Sequence, residues 1–333
     1  MPILDAVIPI TAPKVPASGE ALMPSRAETF GEGLWQLFTE AVGMLSPSLA
    51  EAGSVCVCLI AVVLLISVVQ QIPGSRKQTA ELTGALGISL ILLQSTGALV
   101  NLGLETIREL SGYGKLLMAV MASALAAQGG VTASTALYAG TAVFDTVLTF
   151  LLIHLLVPMV YMYLAMAAAQ SALGEPMLKK LCGLIKWAAT WILKIVLYVF
   201  TGYMGITGVV SGTTDAAALK AAKLTISGMV PVVGGILSDA SEAVLVSAGV
   251  VRSAAGIYGI LALLAVLAGP FLRIGVHYLL LKATGAAAGL FGSKRCTELI
   301  GDMSGAMGLL LAMTGSVCLL LLISMVCFLR GVE

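Results

Sequence analysis

The sequence predicts an all-helical protein that crosses a membrane about six times, within a range of six to eight. Of its 333 residues, 59% are hydrophobic and only 11% are charged, whereas a soluble domain has about 25% charged residues. Apolar runs of about 20 residues, the length that an α-helix needs to cross a bilayer, recur along the chain. The alternating ten-residue pattern of membrane β-barrels is absent, so we expect only helices to span.

The charged residues and cysteines exclude several classes of function. The formal net charge is +1 at pH 7, which gives no electrostatic basis for binding nucleic acid. The six cysteines form no CxxC or Cys/His spacing typical of metal sites, so we expect them to be buried apolar residues. The sequence therefore predicts neither a metal nor a cofactor.

Residues 1–52 differ from the rest in being rich in proline, with five before residue 25. Between residues 27 and 45, apolar side chains recur at helical spacing, which predicts an amphipathic helix against the membrane surface or a partner. No secretory signal is visible in the first ten residues, so we expect a mature or truncated form. We interpret residues 1–52 as an extracytoplasmic arm and residues 53–333 as the transmembrane domain.

Six runs are interpreted as membrane spans: residues 53–72, 82–104, 136–157, 188–210, 256–281 and 307–329. Among the polar side chains of the second run, we expect Gln94, Ser95, Thr96 and Asn101 to face other helices. Residues 105–115 are interpreted as a short charged connection.

Short helices are expected beside these spans. Residues 116–127 are too few to cross, which predicts a re-entrant or interfacial helix that ends at the Gln128-Gly129-Gly130 break. Residues 158–170 either continue the third span after a kink at Pro158 or form a separate half-helix. Residues 174–186 predict a basic amphipathic helix in the interface.

Basic residues orient the six crossings. Three pairs fall in the loops 73–81, 174–187 and 273–304, which share one side of the membrane; they are Arg76/Lys77, Lys179/Lys180 and Lys294/Arg295. Because short cytoplasmic loops are enriched in Lys and Arg, this side is predicted to be cytoplasmic.

Asp145 is the most costly residue in a predicted span, at about 2.5–3.5 kcal/mol for an acid at a helix centre. It is a candidate intramembrane polar site, either for an ion or proton or simply as a hydrogen-bonded side chain near a helix end. His154 lies nine positions later, which places it on the opposite side of a straight helix. No catalytic residue is predicted, since GxSxG and HExxH are absent and a second aspartyl-protease motif would need glycine at Leu299.

Residues 211–249 form a polar stretch between apolar runs and predict two short helices around a Pro-Val-Val-Gly-Gly break. Thr213 or Thr214 would cap the first helix, and Asp239-x-x-Glu242 resembles a capping box for the second. The stretch is either an extramembrane hairpin or a re-entrant pair lining a water-filled path. Its candidate pore-lining or partner-docking residues are Thr214, Asp215, Lys220, Lys223, Pro231, Gly234, Gly235, Asp239 and Glu242.

The run SGTTDAAALKAAKLTISGMVPVVGGILSDASEAVL resembles the stage III sporulation protein AE family, especially in GTTDA, LK, AK, PVVGG and SDA-E. This resemblance implies a non-enzymatic membrane subunit of a channel or secretion-like complex between mother cell and forespore, needed for late forespore development. It implies a location in the mother-cell (outer forespore) membrane. The implied partners are membrane lipid, the other proteins of the stage III sporulation A operon and a forespore protein, with the chain as a homo-oligomer or within a larger ring.

Two other classes remain open on the residues alone. A secondary transporter could use the broken helices of 211–249 as its substrate path and Asp145 as its coupling site. A passive scaffold that anchors partners would need neither.

Overall fold

The computed structural model describes residues 13–24, 30–72, 77–229, 234–291 and 294–330, and it describes side chains over 13–24, 30–72, 79–207, 254–291 and 294–329. Within these ranges the chain contains helices and no strand. The helices are α1 (Ala17–Glu20), α2 (Phe30–Gly43), α3 (Leu45–Gln71), α4 (Lys77–Ala127), α5 (Val131–Leu151), α6 (Val157–Leu173), α7 (Pro176–Met229), α8 (Gly234–Gly289) and α9 (Lys294–Arg330).

Six helical segments of the described chain are long and apolar enough to cross a membrane, which confirms the predicted fold class. They are Phe30–Gln71, Thr79–Ala127, Val131–Leu173, Pro176–Thr207, Ala254–Gly289 and Lys294–Leu329. Helix α9 lies at the centre of the bundle, where it packs against α4, α5, α6, α7 and α8. Its residues 303–329 carry no Asp, Glu, Lys or Arg, as expected of a helix that is enclosed by other helices.

Helix α4 runs for 51 residues without interruption. It includes residues 105–115 and 116–127, so the predictions of a charged connection and of a separate re-entrant helix are wrong. Charged residues such as Glu105, Arg108 and Lys115 are good helix formers, and their polarity does not end a helix. The chain instead turns after Ala127, where Gly129 has a φ of 91°.

The third span is one helical rod with a distortion. Helices α5 and α6 are joined by a π-helical turn, Leu152–Leu156, immediately before Pro158. Proline lacks a backbone N–H, so Pro158 cannot donate to the carbonyl one turn earlier, and the wider turn accommodates this loss. Residues 158–170 therefore continue the span, the first of the two predicted alternatives. Gly174 ends α6 in the left-handed conformation with φ 74°, where glycine is favoured.

Helix α7 begins at Pro176, a favoured first position for proline, and continues for 54 residues. Residues 176–186 are therefore the first turns of a spanning helix, and the prediction of a separate interfacial helix is wrong. Thr213 and Thr214 lie inside α7 and cap no helix start. Helix α8 begins at Gly234, so Asp239 and Glu242 lie inside it and not at its N-terminus.

The arm's predicted amphipathic helix corresponds to α2. Leu37 and Ala41 are buried, and Leu37 packs against Ala265 of α8. The outward face carries Trp35 and Phe38, which are 69% and 58% exposed. The arm thus uses one face of α2 to pack on its own chain and leaves an aromatic face free for lipid or protein.

Helices α5 and α7 pack closely at Gly140, and this contact can be tested by mutation. A Cβ atom on Gly140 would overlap the ring of Tyr203, whose hydroxyl donates to the Ala136 carbonyl at 3.1 Å. We expect Gly140→Ala to destabilise the protein by about 1–3 kcal/mol, because the rigid ring must shift and its hydrogen bond is disturbed. Thermal unfolding in detergent measures this effect.

Gly202→Ala on α7 is the matched control, since nothing lies within 4 Å of its added Cβ. This variant should be neutral or slightly stabilised, because alanine favours the helix. Equal effects of the two substitutions would contradict the proposed close contact.

Candidate functional site

A buried carboxylate links α4 to α5. Asp145 is only 1% exposed, and its Oδ2 accepts a hydrogen bond of 2.6 Å from the Ser111 hydroxyl. The Lys115 Nζ lies 3.6 Å from the same oxygen. The turn after Ala127 folds α5 back along α4, which brings these side chains together. The lysine and the hydroxyl replace part of the hydration that the carboxylate loses in the bundle.

The second carboxylate oxygen of Asp145 is also buried, and within the described chain it has no hydrogen-bond partner. A cavity of about 10 Å³ lies against Asp145 and is walled by Gly114, Tyr138, Thr141 and Leu321, among others. This volume is close to what one water molecule needs, and Thr141 and Asp145 offer it polar partners. The site can therefore hold a single water, but it is too small for an organic solute.

His154 belongs to a different environment. It is exposed, its ring stacks on Phe150 with centroids 4.6 Å apart, and its Nδ1 lies 3.2 Å from the Phe150 carbonyl. The buried Asp145 and the exposed His154 are thus on different sides of the α5–α6 rod, as their spacing predicts. No group of three His, Cys, Asp or Glu side chains in the described ranges is arranged to hold a metal ion.

A second polar cluster joins the ends of four helices at one end of the bundle. Arg295 at the start of α9 lies 3.5 Å from Glu81 of α4 and donates to the Ala172 carbonyl of α6 at 3.3 Å. Glu298 accepts from Lys179 of α7 at 2.9 Å. The starts of α4, α7 and α9 and the end of α6 therefore meet at the same end of the bundle, which agrees with the common side predicted for the loops 73–81, 174–187 and 273–304.

This loop-end cluster surrounds a cavity of about 300 Å³ whose lining includes Glu175, Lys179, Lys294, Arg295, Glu298 and Asp302. Three of these residues are basic and three are acidic. Most basic groups there are engaged by acids, so the cluster ties helix ends together and shows no preference for an anionic or cationic ligand. Tyr163 extends the cluster inward by donating to Asp302 at 3.2 Å.

The pore-lining or docking residues predicted in the 211–249 stretch cannot be compared with side-chain positions. Thr214, Asp215, Lys220 and Lys223 lie on α7, and Gly234, Gly235, Asp239 and Glu242 on α8, but the side chains over 208–229 and 234–253 are outside the described residues. Pro231 is outside them entirely, as is the break at 230–233. Their predicted roles in a pore or in docking therefore stay predictions.

Ser111 and Lys115 are the partners of Asp145 that sequence reasoning missed. They lie 34 and 30 positions earlier, respectively, on a different helix, and no local spacing connects them to it. Only the length of α4 and the tight turn after it determine the contact. Had residues 105–127 been predicted as helical, Ser111 and Lys115 would have been recognised as candidates to contact α5.

Most of the chain matches one known protein family. Residues 24–330 match the family model described as stage III sporulation protein AE. Stage III sporulation protein AE of Bacillus subtilis (strain 168) is 23% identical over 186 residues, or 56% of this chain and 46% of that protein. The chain thus spans about half the length of this curated relative. No solved structure matches the chain.

The Asp145 contact makes a prediction that a double-mutant cycle tests. Lys115→Met and Asp145→Asn should each lower the thermal midpoint in detergent, because each leaves one polar group without its charged partner. The thermal midpoint of the double variant should fall by less than the sum of the two single decreases. We expect a coupling energy of about 1 kcal/mol, toward the low end for contacting groups because Lys115 is half-exposed.

Two serines on α4 provide a matched control. Ser111→Ala removes a donor to Asp145 and should cost about 1–3 kcal/mol. Ser123→Ala removes only a hydrogen bond to the carbonyl of Val120 on its own helix and should cost less than about 0.5 kcal/mol.

In the double-mutant cycle, additive effects of Lys115→Met and Asp145→Asn would show that the two side chains do not interact.

Proposed function

Because the chain belongs to the stage III sporulation protein AE family, we propose that it is an integral membrane subunit of the channel or secretion-like complex that joins mother cell and forespore. The match over residues 24–330 carries this proposal. Six segments that can cross a membrane support an integral subunit. In this role the chain supports late forespore development.

We place the protein in the mother-cell membrane that surrounds the forespore. Its proposed partners are the other proteins of the stage III sporulation A operon, a forespore protein and membrane lipid. The aromatic outer face of α2 and the polar 211–249 stretch are the parts of the chain best suited to contact them. Large exposed aromatic side chains and polar helical segments are both typical of interaction surfaces.

The proposed role is non-enzymatic. The 333 residues contain no nucleophile-elbow or zinc-protease motif. Asp145, the residue that a transporter would use for coupling, is closed off from solvent and bonded to Ser111. A coupling site must exchange its ion or proton with water, so this burial favours a structural carboxylate over the transporter alternative.

Membrane topology is the first prediction of this proposal. A reporter active only outside the cytoplasm should be active when fused after Gly129 and inactive when fused after Gly174, because one span separates the two turns. The α5–α6 rod can provide that span, and the distribution of basic pairs predicts that the Gly174 end is cytoplasmic. A reporter active only inside the cytoplasm, fused at the same positions, is the control. Equal activity at both positions would contradict six crossings.

Complex formation is the second prediction. The tagged chain, expressed at its native level in sporulating cells, should co-purify with the other proteins encoded in its operon, and its deletion should block spore formation. A tagged polytopic membrane protein unrelated to sporulation is the control. A purified chain that recovers no partner and transports a solute in liposomes by itself would contradict the proposal.

A further inference from the structure

One side of α4 is exposed, polar and long. Seven exposed positions follow one another at alternating steps of four and three residues, so they share one face of the helix. None is a large apolar residue; they are Gln94, Ala98, Asn101, Glu105, Arg108, Gly112 and Lys115. We call them the polar face of α4. Gln94 and Asn101, which the sequence predicts to face other helices, are on it and face away from the bundle.

The length of the polar face matches a bilayer. From Gln94 to Lys115 it covers 21 steps, about 31 Å at 1.5 Å per residue. The hydrocarbon core of a membrane is about 30 Å thick. The face is therefore long enough to extend from one membrane surface to the other.

The polar face also lies at the level of the apolar spans. Gly103 of α4 faces Leu310 and Thr314 of α9, and a Cβ atom added to this glycine would lie 3.7 Å from each of them. Further along α4, Gly114 faces Leu321 of α9. The interval of α4 that bears Glu105 and Arg108 is thus flanked by the part of α9 that lacks Asp, Glu, Lys and Arg.

Helices α5 and α9 expose large apolar side chains at this level. On α5, Val143 and Val147 are 59% and 45% exposed on either side of Asp145, and on α9 Leu319 is 51% exposed beside Leu321. These side chains suit lipid. The charged side chains of α4 do not suit lipid, since moving a charge to the bilayer centre is unfavourable. Within the described residues, neither Glu105 nor Arg108 has an ion-pair partner within 4.0 Å.

We propose that the polar face of α4 lines a water-filled path across the membrane. This inference rests on the proposed function, because a single exposed helix face cannot enclose a path and other subunits must complete the wall. Three of the seven positions bear long charged side chains. Packed helix interfaces in membranes consist mainly of small residues, whereas intramembrane charges typically face water-filled cavities. The composition therefore favours water over a second helix.

The charges indicate what the path can pass. Glu105 is acidic, Arg108 and Lys115 are basic, and Lys115 also reaches inward to Asp145. A wall with both signs of charge provides no ring of one sign, which is the usual basis of selectivity among ions in charged pores. The path thus suits water and small hydrophilic solutes of either charge.

Cysteine accessibility in the full chain tests this proposal. In a variant whose six native cysteines are replaced by alanine, single cysteines replace Ala98, Asn101 or Gly112, and Val147→Cys and Leu319→Cys are the lipid-facing controls. A cysteine at Gly112 fits, since nothing lies within 4 Å of its added Cβ. Membranes from sporulating cells are treated with a sulfonated, membrane-impermeant maleimide. We expect labelling of the face positions to be at least about tenfold faster than of the controls, because thiolates form in water.

Two results would overturn the proposal. Labelling of the face positions only by a lipid-soluble maleimide, at the rate of Leu319→Cys, would place the face in lipid. Resistance to both reagents, with disulfide-linked dimers on oxidation, would place it against a second copy of the chain. Each variant is also scored for spore formation and partner recovery. Normal scores without aqueous labelling reject the path and leave the proposed function standing. Aqueous labelling without partner recovery shows that the face meets water, but it rejects the proposed function and with it the path that other subunits would complete.

Discussion

The absence of water in hydrocarbon is the constraint on which this structure depends. Each backbone N–H and C=O must be paired within the chain, which is why the described residues form long helices and no strand. Polar side chains obey the same requirement. The hydroxyls of Thr106 and Thr314 bond to carbonyls one turn earlier, and Thr141 donates to Ser324 across two helices at 2.8 Å. The loop-end cluster and the Asp145 contact pair acidic with basic side chains, although one oxygen of Asp145 has no hydrogen-bond partner among the described residues.

Sequence reasoning predicts the class of this fold well, because run length and hydropathy directly measure suitability for a bilayer. It predicts helix lengths poorly. Residues 105–115 and 176–186 are more polar than the spans, so hydropathy separates them from the spans, yet both belong to uninterrupted helices. Hydropathy measures preference for water, whereas helix continuity depends on backbone propensity and on neighbours such as α9. The breaks at Gly129 and Gly174 do coincide with glycines, and both of these glycines have a positive φ.

The candidate sites show a similar division. Asp145 is recognisable from sequence since an acid in an apolar run is rare and costly, but its partners Ser111 and Lys115 are not, because helix pairing determines them. The polar face of α4 was divided between a span and a supposed connection, and it becomes one surface only once the helix is continuous and burial is known. The 211–249 stretch is the reverse case. Its amino-acid sequence carries the family resemblance, whereas its side chains lie outside the part of the chain that the structure describes.

The salt bridge between Lys115 and Asp145 bears on how the chain enters the membrane during synthesis. Helix α5 inserted by itself would carry an unneutralised carboxylate, and α4 would carry Glu105, Arg108 and Lys115. If the translocon releases both helices together, the lysine and the aspartate can pair before either meets lipid, which lowers the insertion cost of each. The short turn after Ala127 keeps the two helices adjacent as they emerge. The α4–α5 hairpin is thus a natural unit of co-translational insertion.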